Sequence, residues 1–253
     1  MRKVKKLLGF ILIGGAVICL TMAAVEYMKY DEAIQEYDDI EETYTTTEDS
    51  PETPDIADES FSIDWASLKQ QNADLVGWIR MDTGASYPIV QGTDNSYYLK
   101  HSFNNTYSIN GAIFMNSHNS SSWEDYNTVV YGHNMNNGSM FGSNKKYKEA
   151  AYLKEHPYFY VYIPGRYYKY RIFSTATVRE SSEAYQTVFT GPADFNNYLD
   201  AMLKLSSYSA GVKPASNQHV VTLSTCTGKE DKRFIIQGYL ENEVITNEKI
   251  QEQ

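Results

Sequence analysis

Cysteine is nearly absent from this chain. Two occur in 253 residues, and only Cys226 lies beyond the first 25, so no disulfide within the main body can brace the fold. The five histidines are scattered and never fall at Cys/His ligand spacing, which argues against a metal site. There is no internal repeat and no glycine-rich phosphate loop. Lys and Arg are missing altogether between residues 31 and 60, and no long apolar run follows residue 25.

What is present begins with "MRKVKKLLGFILIGGAVICLTMAAV". Arg2, Lys3, Lys5 and Lys6 precede 19 uncharged residues, Leu7 to Val25, a run long enough to span a bilayer. A cleaved signal peptide is the competing reading, because Ala23 and Ala24 would suit its end. Cys19 follows Ile18 rather than a small residue and reads as an apolar membrane position, not a lipid anchor. With the basic residues ahead of the span, residues 1–6 lie in the cytoplasm, 7–25 form the transmembrane anchor, and the rest stands outside. Residues 26–60 follow as a tether: 13 Asp or Glu fall between 31 and 60, so the segment repels itself and is expected to be extended and solvated. The remainder, 61–253, has 17 basic against 18 acidic residues, so the formal charge of −10 comes almost wholly from the tether. That balance argues against a nucleic-acid partner. Hydrophobic residues make up 42% of the chain, enough to give one sizeable domain a core.

From Phe61 on, the texture is mainly β. In "SIDWASLKQQNADLVGWIRM", with apolar residues at Ile63, Leu68, Leu75 and Val76, Asp64 is placed to cap a short helix. Strands are expected at 86–91, 111–116, 127–132, 158–163, 167–179, 219–225 and 233–240, with Pro164 and Gly165 making a turn between the fourth and fifth. In the fifth, Tyr168, Tyr170, Ile172, Ser174, Ala176 and Val178 should share one face. Helices are expected near 144–155 and over 192–207, where Phe195, Leu199, Met202 and Leu203 recur at helical spacing. Short strands with turn signals between them point to a barrel or sandwich. The second helix lies in a 39-residue connection, Glu180 to Gln218, too long to be a mere link.

Three polar residues stand at strand ends. Cys226 closes "HVVTLST"; outside a membrane an unpaired thiol risks oxidation, which favours retention for its reactivity over burial as a small hydrophobe. Arg233 opens the next strand, and antiparallel pairing would set it opposite the thiol with backbones about 5 Å apart, where its guanidinium could face a forming anion. His133 follows "NTVVYG", and His118 in "MNSHNSSS" is the rival acid or base; composition and spacing leave both open, while His101, His156 and His219 read as surface or strand residues.

"TLSTC" at 222–226, the downstream Arg233 and the upstream "NTVVYGHNM" together resemble the signature of the sortases, class B in particular, over roughly residues 61–242. The resemblance implies a closed β-barrel of about eight strands, with an N-terminal helix and a helix in the connection before the cysteine strand. It implies a cysteine transpeptidase that needs no metal or organic cofactor. Cys226 would be the nucleophile, His133 the acid/base, Arg233 the oxyanion and substrate-binding arginine, and Thr225 a weaker contributor to substrate and oxyanion contacts. Its partners would be surface proteins carrying a C-terminal sorting signal and an amine acceptor, from a peptidoglycan precursor or a pilin lysine, on the outer side of a Gram-positive-type envelope. Two departures bear on substrate preference: the Cys226–Arg233 loop is short for class B, and "NSHN" stands where charged residues are usual. A papain-like peptidase would place its cysteine before its histidine, and an L,D-transpeptidase would show a Ser-x-Gly-Cys cluster. A non-catalytic surface module with Cys226 buried is the remaining alternative.

Overall fold

Strand boundaries follow the apolar and β-branched runs, and turns fall where glycine or asparagine interrupts them. The computed structural model describes residues 2–47, 61–226 and 231–246. Helix α1 (Arg2–Tyr44) leads into β1 (Thr45–Thr47), which pairs antiparallel with β2 (Phe61–Ile63). Then come α2 (Trp65–Gln71), β3 (Leu75–Met81), β4 (Ser86–Val90), β5 (Ile113–Met115) and β6 (Asn127–Gly132). The chain continues with α3 (Ala150–Glu155), β7 (Tyr158–Ile163), β8 (Arg166–Arg179), α4 (Pro192–Leu205), β9 (Val220–Cys226) and β10 (Lys232–Ile245). Eight of these strands close a barrel in the order β10-β8-β7-β3-β4-β5-β6-β9, the mainly-β architecture expected from the sequence. Closure leaves the barrel no unpaired edge strand.

Side chains from alternate strand positions fill the interior, among them Met81, Met115, Val130, Phe159, Tyr170, Leu223 and Ile236. A second, smaller core lies outside the barrel wall, where Phe195, Tyr198, Leu199 and Met202 of α4 pack on Ala176, Val178, Val220 and Ile235. Helix α4 starts at Pro192, whose missing N–H costs nothing at a first turn.

Four expectations are corrected. The tether foreseen over residues 26–60 is helical through Tyr44, with Ala33, Tyr37 and Ile40 buried at four- and three-residue steps. That stripe docks on the barrel while the carboxylates face outward, so the acidic composition concealed an amphipathic helix. Residues 48–60 of the expected tether lie outside the described residues. Strand β3 was read only as apolar continuation after the first helix. Asn72 ends that helix by donating to the carbonyl of Phe103 (2.7 Å) and the hydroxyl of Tyr98 (3.0 Å), partners far along the chain. The single face expected along β8 holds only in halves: a bulge opposite Gln237 and Gly238 leaves Phe173 without a pairing partner. Tyr168, Tyr170 and Ile172 therefore face the barrel interior, whereas Ala176 and Val178 face α4. The helix near 144–155 is a 3₁₀ turn, Gly142–Lys148, followed by α3.

Side chains are described from Ile13 on, and among them no helix is long and apolar enough to cross a membrane. The first six residues of the run Leu7–Val25 precede that point.

Candidate active site

Strand β9 sits between β6, to which it is parallel, and β10, to which it is antiparallel. In that register Gly132 stands beside Thr225, and Arg233 stands directly opposite Cys226. His133 comes immediately after Gly132, so three strand ends bring His133, Cys226 and Arg233 to one rim. The loop between Cys226 and Arg233 lies largely outside the described residues.

Strand parity decides the face. Val221, Leu223 and Phe234 belong to the interior core, so the alternate positions Thr222, Ser224, Ile235 and Gln237 face outward under the connection. Cys226 and Arg233 occupy positions of that outward set. Thr225 has the opposite parity. It is 5% exposed, and its hydroxyl has no hydrogen-bond partner among the described residues. Its backbone, rather than its side chain, is what lies next to Cys226.

The connection is fastened over this face by a buried polar network. Asn127 Nδ2 donates to the carbonyls of Ala184 (3.2 Å) and Gln186 (2.8 Å), and its Oδ1 accepts from Thr222 Oγ1 (2.8 Å). Gln237 Nε2 donates to Thr222 Oγ1 and to the Tyr198 hydroxyl, which in turn donates to Ala184 O (3.1 Å). Tyr185 is thereby held over the sheet, its hydroxyl 2.8 Å from Ser224 Oγ and its ring stacked on Tyr131 at 6.2 Å. Burial raises the Tyr131 phenol above its ordinary range, keeping it neutral while it accepts from Asn116 Nδ2 at 3.0 Å. Ser224 lies two positions before Cys226 on the same face, so a chain approaching the cysteine from this side runs past the Tyr131–Tyr185–Ser224 group. Sequence reasoning missed these residues; their only signal was membership of strands and of a long connection.

His133 is half-buried, with Nε2 2.8 Å from the carbonyl of Leu99. Because a carbonyl only accepts, Nε2 carries the hydrogen and the neutral ring keeps its lone pair on Nδ1. Arg233 donates through Nη2 to Glu180 Oε2 at 2.9 Å and through Nη1 to the carbonyl of Lys232 at 3.0 Å, so the plane of its guanidinium is fixed at two points. The rival histidine is elsewhere. Strand β5 runs antiparallel to β6, so the chain beyond Met115 travels away from Gly132, and exposed His118 sits against Asn116. His101, His156 and His219 bond instead to Tyr97 O, to Asp82 and to Asp125 O.

Residues 81–241 match the Sortase domain family, a span that encloses His133, Cys226 and Arg233. Sortase B of Listeria monocytogenes is 37% identical over 177 residues, covering 68% of this chain and 72% of that protein. Sortase B of Staphylococcus aureus is 28% identical over 176 residues, covering 67% and 71%. The crystal structure of sortase B from Bacillus anthracis in complex with AAEK1 superposes with a TM-score of 0.72 at 27% identity, covering 85% of this chain and all of that one.

Proposed function

The chain belongs to the sortase family of cysteine transpeptidases, and on that premise we propose that Cys226 cleaves a C-terminal sorting signal after threonine and passes the acyl group to a cell-wall amine. The observation that carries this reading is the register of β9, with Arg233 opposite Cys226 and the end of β6 beside Thr225.

The Cys226 thiol gives its proton to the Nδ1 lone pair of His133, and the resulting thiolate attacks the threonine carbonyl. A C–S bond forms and the carbonyl electron pair moves onto oxygen, where the guanidinium of Arg233 and neighbouring backbone N–H groups stabilise it. His133 gives a proton to the departing amine, the C–N bond breaks, and a thioacyl-enzyme remains. An incoming amine then attacks the thioester, loses a proton to His133 and returns Cys226 as thiolate. The peptidoglycan cross-bridge is the acceptor we favour, since the segment before the barrel supplies a membrane anchor that keeps the rim near the outer leaflet.

Residues 7–25 are that anchor. Ile13, Val17, Ile18, Leu20 and Met22 all lie exposed around α1, and a helix apolar on every side suits lipid. The four basic residues before it put the barrel on the outer side of the membrane.

The test offers the purified chain a sorting-signal peptide with two amines, a cross-bridge peptide and a pilin lysine peptide, and identifies products by mass spectrometry. Cleavage after threonine with joining to the cross-bridge amine is expected. A peptide joined only to the lysine would assign the chain to pilus assembly, and cleavage without joining to either would overturn the acceptor reading.

Arg233→Lys separates charge from shape. Lysine keeps the positive charge but cannot hold both Glu180 and the Lys232 carbonyl while presenting a planar fork to the oxyanion. Acylation should slow by roughly a hundred- to a thousand-fold, the usual effect of a lost oxyanion donor, and resemble Arg233→Ala in stopped-flow assays. Near-parental rates in the lysine variant would reduce Arg233 to a general positive field.

A further inference from the structure

The carbonyl that holds His133 belongs to a loop between β4 and β5, and that loop is clamped by the N-terminal helix. Leu99 closes a short 3₁₀ turn, Tyr97–Leu99, and the loop folds back so that Ala112 N donates to Tyr98 O at 2.9 Å. This return places Gly111, at φ 56°, against the imidazole. A Cβ there would lie 2.6 Å from Tyr98 O, 2.9 Å from Leu99 O and 3.0 Å from His133 Cδ2. Glycine is needed both for the left-handed backbone and for this close approach.

Tyr37 of α1 reaches the same place. Its hydroxyl donates to Gly111 O at 2.7 Å and accepts from Phe103 N at 3.1 Å, tying together both limbs of the loop. It is 4% exposed, and burial together with neighbouring Glu36 pushes its phenol well above the ordinary range, so the hydrogen it donates stays on oxygen. A second route leads from its ring. Tyr37 packs edge-on against Tyr87 at 5.5 Å, and the Tyr87 hydroxyl accepts from Met140 N at 3.0 Å. Met140 bridges Asn134, and Phe141 N donates to His133 O at 3.0 Å. The backbone of His133 and the acceptor of its ring thus both trace back to one buried tyrosine.

We propose that Tyr37 is a positioning residue for His133, and that the N-terminal helix sets the Nε2–H tautomer through the Gly111–Leu99 loop. The inference rests on His133 being the acid/base of the reaction. Without the Tyr37 hydroxyl, Gly111 and Phe103 lose their shared anchor and the Leu99 carbonyl drifts from Nε2. The imidazole then samples its other tautomer, which has no lone pair on Nδ1 to accept a proton from the attacking amine.

The experiment uses the full chain in detergent with Tyr37→Phe, which deletes one oxygen and keeps the ring. Tyr30→Phe is the matched control, because Tyr30 is on the same helix but, among the described residues, its hydroxyl bonds only to the sulfur of Met135, at 3.9 Å. Expected for Tyr37→Phe is a kcat about tenfold lower, a fraction of the roughly hundred- to ten-thousand-fold that a positioned acid–base group supplies, with KM unchanged. Imidazole ¹⁵N shifts of His133 should show mixed tautomers. Tyr30→Phe should move neither readout. Should Tyr37→Phe unfold the chain, Gly111→Ala displaces the same carbonyl from the opposite side and should give the same tautomer mixing. Parental kcat and tautomer in the folded Tyr37→Phe protein would overturn the proposal, as would equal changes in Tyr30→Phe. His133→Ala is measured alongside: if it keeps full activity the acid/base assignment fails, while the ¹⁵N readout still decides whether Tyr37 positions the ring.

Discussion

Cys226→Ala is expected to abolish thioacyl-enzyme formation and transpeptidation while leaving the melting temperature within a few degrees of the parent. The chemical reason is that the described hydroxyls on this face of β9 are not placed to replace the thiol. Ser224 shares the outward face, but it lies two residues back along β9 and its hydroxyl is taken up by Tyr185. Loss of a covalent nucleophile in hydrolases that act as a unit costs on the order of a million-fold, so residual turnover should be indistinguishable from background. The structural reason is that Cys226 ends its strand. Its backbone pairing with Arg233 survives the substitution, and the change removes only one sulfur at a strand end. Intact-mass spectrometry after mixing with a sorting-signal peptide checks the claim. An acyl adduct on the alanine variant would place the nucleophile elsewhere.

How far the sequence foretold this arrangement depends on the range of the interactions. Strands β6 and β7 coincide residue for residue with the expected spans, because "NTVVYG" and "YFYVYI" are continuous β-forming runs bounded by polar or turn residues. Asp64 caps α2 through Ser67 N at 3.0 Å, as a local signal should. The hairpin at Pro164–Gly165 is equally local, with Gly165 at φ 79°. What escaped notice is set by distant partners. Tyr37 is pinned by Gly111 and Phe103, and nothing in an acidic stretch announces a hydroxyl that will be buried 74 residues from its acceptor. The bulge at Phe173 serves two cores on opposite sides of one strand, and only the partner strand reveals it. That His133, Cys226 and Arg233 share one rim was legible because polar residues at strand ends stand out against apolar runs. Tyr185 and Ser224 look like ordinary connection and strand residues until the Asn127–Thr222–Gln237 network folds one over the other.

Register separates the two histidines that spacing left side by side. Both follow short apolar strands and both have polar neighbours. Their strands run in opposite directions, so the end of β6 arrives at Thr225 while the end of β5 leaves it. His133→Ala should therefore lower the acylation rate by roughly a hundred- to ten-thousand-fold, the range a general acid–base group supplies, because the departing amine then leaves without a proton. His118→Ala should stay within about twofold of the parent, since an exposed side chain bonded to Asn116 takes no part in proton transfer and its loss frees only a surface contact. Single-turnover kinetics with a sorting-signal peptide read the acylation step directly, and thermal melts of both variants separate chemistry from folding. Leu99 O loses its donor in His133→Ala, a small cost for a carbonyl at a half-exposed site. Equal loss of rate in the two variants, with both folded, would return His118 to the reaction and require a proton path across the barrel rim that the present register does not provide.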